Sequence, residues 1–157
     1  MSKIKSFKAI IANGGQDTVS LHTNNGSTGY QIKKLQLMPA IPGDTTDIEF
    51  VVKVYSVKQS TIPGGGTGDK ATVDLSDQTL LAVAYYQDGV SVTNNSSMDI
   101  IIDNMTFNQD IFITCTNNSG TGGMDVNYYM EIEQMKLDLN ENTMATLKDI
   151  RNETLAI

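Results

Sequence analysis

The side chains that could carry chemistry in this 157-residue chain are few and widely spaced. A nucleophilic enzyme needs a nucleophile beside a base, but the only histidine, His22, runs into an Asn/Gly turn, which predicts an exposed loop position. The single cysteine, Cys115, is in phase with Ile111 and Ile113, which predicts a buried small apolar residue rather than a reactive thiol. We therefore predict no catalytic residues and a protein that is not an enzyme.

Oxygen-bearing side chains cluster at two turns that could in principle hold calcium. Asp44 and Asp47 flank one turn, and Asp138, Asn140 and Glu141 lie together near the C-terminus. Neither group has the spacing of an EF-hand loop, and turn formation and helix capping account for both. The Gly-rich run at 63–70 lacks the Gly-Lys-Ser/Thr ending of a phosphate loop. The sequence therefore predicts no metal and no cofactor.

Charge and hydropathy exclude two classes of direct partner. The formal net charge is −7, whereas binding to a phosphate backbone requires a Lys/Arg patch. The one basic cluster, Lys3, Lys5 and Lys8, is expected to lie on a solvated strand face. No apolar stretch approaches the roughly 20 residues of a membrane helix. We predict no direct nucleic-acid partner and no membrane partner.

Turn-forming clusters of Gly, Asn, Pro and Asp punctuate the whole chain and separate short β-rich runs. This pattern is typical of a β-sandwich or barrel. We predict an all-β, jelly-roll-like β-sandwich of about eight to nine strands with a short C-terminal helix. One domain is expected over 1–157, with 139–157 as a C-terminal strand-helix tail. The β-rich runs are 3–11, 18–22, 29–38, 46–58, 71–75, 79–87, 97–104, 109–116 and 125–139.

Alternation within these runs makes the prediction more specific. In 46–58 the apolar residues alternate with Asp47, Glu49 and Lys53, which predicts a sheet with one wet side. The run at 80–86 is apolar on both sides, so it should be central or covered. The apolar set changes phase within 29–38 and within 125–139. A phase change requires a bulge or a strand that serves two packing surfaces.

The C-terminal segment is the best candidate for an attachment surface. Asn140 can cap a helix, and Glu141 suits its positive end. A helix of about ten residues is too short to be stable alone, so it must dock on its own sandwich or on a neighbour. Adjacent tyrosines in strands place one ring of each pair away from the core, and exposed tyrosine is favoured at interfaces. The predicted interaction residues are Tyr86, Tyr129, Met144, Leu147 and Ile150.

Eight short motifs along the chain carry a resemblance to a known group of proteins. They are GYQI at 29–32, LQLMP at 35–39, VKVY at 52–55, LLAVAYY at 80–86, FNQDIFIT at 107–114, NYY at 127–129, KLDLNENT at 136–143 and TLKDIRN at 146–152. Through them the whole chain resembles a group of small, mostly uncharacterised structural proteins of tailed phages of marine bacteria. No catalytic motif comes with this group, so no site residues carry over. The resemblance implies a virion component of the capsid exterior.

Together with the all-β pattern, the resemblance leads us to expect a capsid decoration or cement protein on the outside of a phage head, made in the host cytoplasm. Its expected partners are copies of itself in a homotrimer, through Tyr-bearing strand faces, and the major capsid protein, through the terminal segments. Two alternatives stay open: a tail, neck or fibre-associated virion protein, and a carbohydrate-binding module. The lack of tryptophan counts against the second.

Overall fold

A computed structural model describes residues 3–44, 46–64, 70–89, 96–102, 105–119 and 124–155. Within these ranges the strands coincide with stretches rich in β-branched and aromatic residues, which suit a pleated, half-buried surface. The predicted β-sandwich with a C-terminal helix is confirmed. The elements are β1 (Lys3–Ile11), β2 (Gln16–Val19), β3 (Thr28–Pro39), β4 (Ile48–Tyr55), β5 (Leu80–Asp88), β6 (Ser96–Ile101), β7 (Ile111–Asn117), β8 (Val126–Lys136) and α1 (Leu139–Leu155).

The strands form two antiparallel sheets whose order is that of a jelly roll with one change. One sheet has the order β1-β8-β3 and the other β2-β7-β4-β5-β6. An eight-stranded jelly roll nests its pairs, first strand with last and so on inward. The pairs β1–β8, β2–β7 and β4–β5 are present. The strand β6 pairs with β5 instead of β3, so β3 and β6 each end a sheet.

The core lies between the two sheets and is built from the inward-facing residues of both. Phe50 and Ile113 of the larger sheet and Met130 and Ile132 of the smaller one have no exposed surface. Cys115 is also fully buried, as predicted from its phase.

The outer face of β4 differs from the prediction of a wet side. Lys53 is only 8% exposed, and its Nζ donates a hydrogen bond to the Thr72 carbonyl oxygen at 3.0 Å. The segment 71–75, predicted as a strand, is irregular and covers β4 through this contact. The prediction of a ninth strand there is wrong, because a covering segment and a strand share the same apolar spacing.

The two predicted phase changes have different outcomes. In β3 the register shifts between Ile32 and Lys34, which confirms a bulge. In β8 the partners on β1 are consecutive from Val126 to Gln134, and the extra residue of the β3–β8 pair lies on β3, so the phase of β8 changes where the strand ends. Leu137, the first residue after β8, is buried and packs over Gly29, where an added Cβ would lie 2.7 Å from Leu137 Cδ2.

The helix α1 is longer than predicted, with 17 residues, and its cap is a different residue. The Glu141 backbone N–H donates to Asp138 Oδ1 at 2.8 Å, so Asp138 is the N-cap. Asn140, the predicted cap, lies in the first turn. The hydrogen bonds from Glu141 lower the pKa of the Asp138 carboxyl. In the described part of the chain, no helix has the length and apolar character needed to cross a membrane.

Candidate functional site

The helix α1 contacts the sandwich through polar side chains. Asn108, only 1% exposed, lies in the connection between β6 and β7. Its Nδ2 donates to Thr146 Oγ1 at 3.0 Å, to the Gly26 carbonyl oxygen at 3.2 Å and to Asn142 Oδ1 at 3.3 Å. Asn152, near the end of α1, is 3% exposed. The polar side of α1 therefore faces the protein.

An ionisable pair lies along the same contact. Burial, and to a smaller extent the negative charge of Glu153, together raise the pKa of Asp149 to about 6. Beside it, the Lys148 ammonium contacts Met105 Sδ at 3.2 Å. Partial desolvation and a second carboxylate nearby both disfavour the charged form of the Asp149 carboxyl.

The three predicted interaction residues of α1 form one apolar stripe, which points away from the sandwich. Met144 is 72% exposed, Leu147 60% and Ile150 54%. Glu141 and Arg151 lie on the same side of α1, since they line one depression together with Met144 and Leu147. We call Glu141, Met144, Leu147, Ile150 and Arg151 the helix face. The polar contacts at Asn108 account for this orientation, because turning the stripe inward would bury Met144 and expose Asn152.

A second exposed apolar surface is an outer groove of about 780 Å³ on the smaller sheet. Its floor consists of two rows of side chains that run across the strands. Its wall consists of residues of β5 and β6. The register places Lys8, Tyr129 and Gln36 in one row and Ile10, Asn127 and Met38 in the other; the wall includes Tyr85, Met98 and Asp99.

The outer groove is apolar where its residues are most exposed. Ile10, Met38 and Met98 are 52%, 57% and 59% exposed. Two of the tyrosines that line the groove donate their hydroxyls to carboxylates: Tyr85 to Glu49 Oε1 at 2.8 Å, and Tyr129 to Glu131 Oε1 at 3.1 Å. Large exposed apolar side chains that cluster in this way mark interaction sites on soluble proteins.

The five predicted interaction residues are divided between these surfaces. Met144, Leu147 and Ile150 belong to the helix face, and Tyr129 lies in the outer groove. Tyr86 packs against the edge of the core, and its neighbour Tyr85 lines the groove instead. Sequence reasoning missed Ile10 and Met38. The signal that could have found them is that each lies next to inward-facing residues of its strand, so its own side chain must point to the outer side of the sheet.

The residues first considered for chemistry have structural roles. His22 is exposed in a loop, as predicted, and its carbonyl oxygen accepts the Tyr30 hydroxyl at 2.6 Å. The Asp44 carboxylate accepts the Thr46 N–H at 2.7 Å, and this pairing lowers the pKa of Asp44. Among the described residues, no group of three or more His, Cys, Asp or Glu side chains could hold a metal ion. The central glycines of 63–70 lie outside the described residues.

Comparison with known proteins adds no family to this description. No protein-family model matches the sequence, and no curated protein matches it significantly.

Proposed function

We propose that this protein is a non-enzymatic structural component of a virus particle: a homotrimeric decoration or cement protein on the outside of a tailed-phage head. The observation that carries the proposal is the helix face. Its apolar residues Met144 and Leu147 are more than half exposed while the polar side of α1 is buried. A protein that functions as an isolated monomer gains nothing from this arrangement.

The fold and the charge support the same proposal. A jelly-roll-like sandwich is an architecture that capsid proteins use, although fold alone does not specify function. A net charge of −7 suits the outside of a particle better than contact with packaged nucleic acid, because like charges repel. The resemblance to phage structural proteins adds the particular kind of particle. The major capsid protein is the second partner of this proposal.

The decisive experiment is a cryo-EM reconstruction of the particle combined with a proteome of purified virions. We expect density for the sandwich on the outer surface of the head at a symmetry axis. Density at the tail, neck or fibres would instead support the alternative of a tail, neck or fibre-associated virion protein. A protein that is absent from virions would refute the proposal.

A carbohydrate-binding module is the second candidate, because Tyr85 and Tyr129 line the outer groove. Tyrosine rings can stack on sugars, and Asn127 and Gln36 provide polar groups beside them. This function predicts binding on a glycan array that is lost in Tyr129→Ala and kept in Tyr55→Ala, whose ring lies outside the groove.

A further inference from the structure

We infer that the outer groove of one copy binds the helix face of a second copy, so that copies associate head to tail. This inference rests on the proposed homotrimer and names the surfaces that form it.

The groove has the shape of a site for a helix rather than for a strand. It extends across the paired strands β1, β8 and β3 and then across the gap from β3 to β6, which lie in different sheets. Two strand spacings take about 10 Å and the gap is no narrower than a third, so the groove is at least about 14 Å long. Its floor uses about three residues of each strand, which corresponds to a width of about 10 Å. An α-helix has a diameter of about 10–12 Å. An added strand would instead run parallel to an edge and pair with one strand.

The apolar residues of the two surfaces suit each other. The helix face presents Met144 and Leu147, and the groove presents Ile10, Met38 and Met98, each more than half exposed. Three of these five are methionines, whose flexible thioethers fill irregular gaps at contact surfaces. Burying both sets together removes the most exposed apolar side chains of each surface from water, which favours association.

The charges at the two ends also match and give the helix a direction. Lys8 stands at the β1 end of the groove and Asp99 at the β6 end. Glu141 and Arg151 are ten residues apart on the helix face, a separation of about 15 Å. The groove is at least about 14 Å long, so Glu141 can reach Lys8 while Arg151 reaches Asp99. The N-terminus of α1 then points toward β1 of the receiving copy.

Each copy carries one helix face and one groove, so the contact is heterologous. Such contacts close into a ring when the rotation between copies allows it, and three copies give the proposed homotrimer. In this arrangement α1 binds another copy, and the contact with the capsid shell uses other surfaces. This differs from the expectation that the terminal segment reaches the major capsid protein.

The test uses two complementary variants of the full chain. The helix variant carries Met144→Gln and Leu147→Gln, which keep good helix formers on exposed positions. The groove variant carries Met38→Glu and Met98→Glu. Each is expected to be monomeric, with association weakened about a hundredfold or more. The matched control, Val73→Gln with Leu75→Gln, changes exposed apolar residues outside both surfaces and should associate normally.

Mixing the two variants gives the sharpest outcome. The groove variant still has an intact helix face, and the helix variant still has an intact groove. We expect a heterodimer with one copy of each, visible by native mass spectrometry, and no larger species. A mixture that stays monomeric while the wild type forms oligomers overturns the inference. A groove variant that oligomerises normally also overturns the inference, and it does so even if the groove binds a glycan or the capsid shell.

A second pair of variants tests the charges. Lys8→Glu should weaken association, and combining it with Glu141→Lys should restore it. If the double variant associates no more tightly than the Lys8→Glu variant, the proposed direction of the helix is wrong. A wild type that is monomeric yet present on virions refutes the head-to-tail contact and leaves the location on the particle intact. Absence from virions refutes the location instead.

Discussion

Asn108 is the residue on which the docking of α1 depends most directly. It is buried, and its Nδ2 donates to oxygens of Gly26, Asn142 and Thr146. Its own Oδ1 has no partner among the described residues. Removing the amide leaves the facing oxygens without their donor. Asn108→Ala should lower the free energy of unfolding by about 1–3 kcal/mol, measured by urea denaturation.

The control for this prediction is the next residue along the chain. Gln109 is exposed, so Gln109→Ala should leave the unfolding free energy nearly unchanged. Equal losses in the two variants would mean that the Asn108 hydrogen bonds contribute little to docking.

Asp149 gives a pH dependence whose sign follows from its surroundings. Burial, and then the charge of Glu153, raise its pKa from the ordinary 3.8 to about 6; Lys148 is the cation nearby in sequence. The folded chain therefore takes up a proton at a higher pH than the unfolded chain. The contribution of this group to stability rises as the pH falls from about 7 toward 4.

Asp149→Asn imitates the protonated carboxyl at every pH. We expect this variant to be more stable than the wild type at about pH 7.5, and the difference to vanish near about pH 4. Urea denaturation at both pH values measures it. Glu153→Gln should give a smaller change of the same sign. A constant difference across the range would assign the effect to packing rather than to charge.

At the scale of elements, the start of α1 depends on Asp138. Its Oδ1 accepts the Glu141 N–H, and its carbonyl oxygen accepts the Asn142 N–H at 2.9 Å. Asp138→Ala removes the side-chain acceptor and should reduce the helix signal in far-UV circular dichroism. Asp138→Asn keeps an acceptor of the right length and should keep most of that signal. If both variants lose it equally, the charge rather than the cap stabilises the first turn.

The helix α1 shows which features of an element can be predicted from the sequence and which cannot. Met144 and Leu147 recur at helical spacing, so the apolar stripe is visible in the sequence alone. The direction in which it points is not visible, because that depends on Asn108, a residue of a distant loop. Asn142 and Thr146 form a second, polar stripe four residues apart, and this is the signal that could have indicated a polar docking side.

The prediction of strands from the sequence is limited in a similar way. The C-terminal end of β1 matches the sequence pattern, since a turn follows Ile11. The segment 71–75 has the composition of a strand but lies over Lys53 as a covering segment. Alternating residues specify that one side is apolar; they do not specify whether a backbone partner is available. The outer groove could not be predicted, because Ile10, Met38 and Met98 meet only through the pairing of β1, β8 and β3 and the position of β6 beside them.

At the scale of the whole molecule, one change in strand pairing creates the outer groove. If β6 were paired with β3, the smaller sheet would have four strands and its edge would be closed. Because β6 stays with β5, Met98 and Asp99 stand as a wall beside the edge of β3. Opening one pair of a nested fold in this way leaves an exposed groove while the core between the sheets stays complete.

The integrity of that core can be measured through Cys115. Its thiol is fully buried in β7, and burial, with smaller contributions from Asp125 and Asp17, raises its pKa to about 12. The thiolate is the nucleophile that attacks a thiol reagent, so labelling at neutral pH requires the sandwich to open. We expect Cys115 to react at least about a thousandfold more slowly than a free thiol, and urea to restore the full rate.

The matched control places a thiol on the exposed edge strand. Ser97→Cys in a Cys115→Ala background should label at the rate of a free thiol, because position 97 is exposed in β6. If Cys115 reacts as quickly as this variant in native buffer, β7 opens independently of the rest of the core. If its rate instead follows the equilibrium constant for global unfolding across a urea series, the two sheets separate as one cooperative unit. We expect this second result, because β7 pairs with both β2 and β4 and contributes Ile111, Ile113 and Cys115 to a core shared by both sheets.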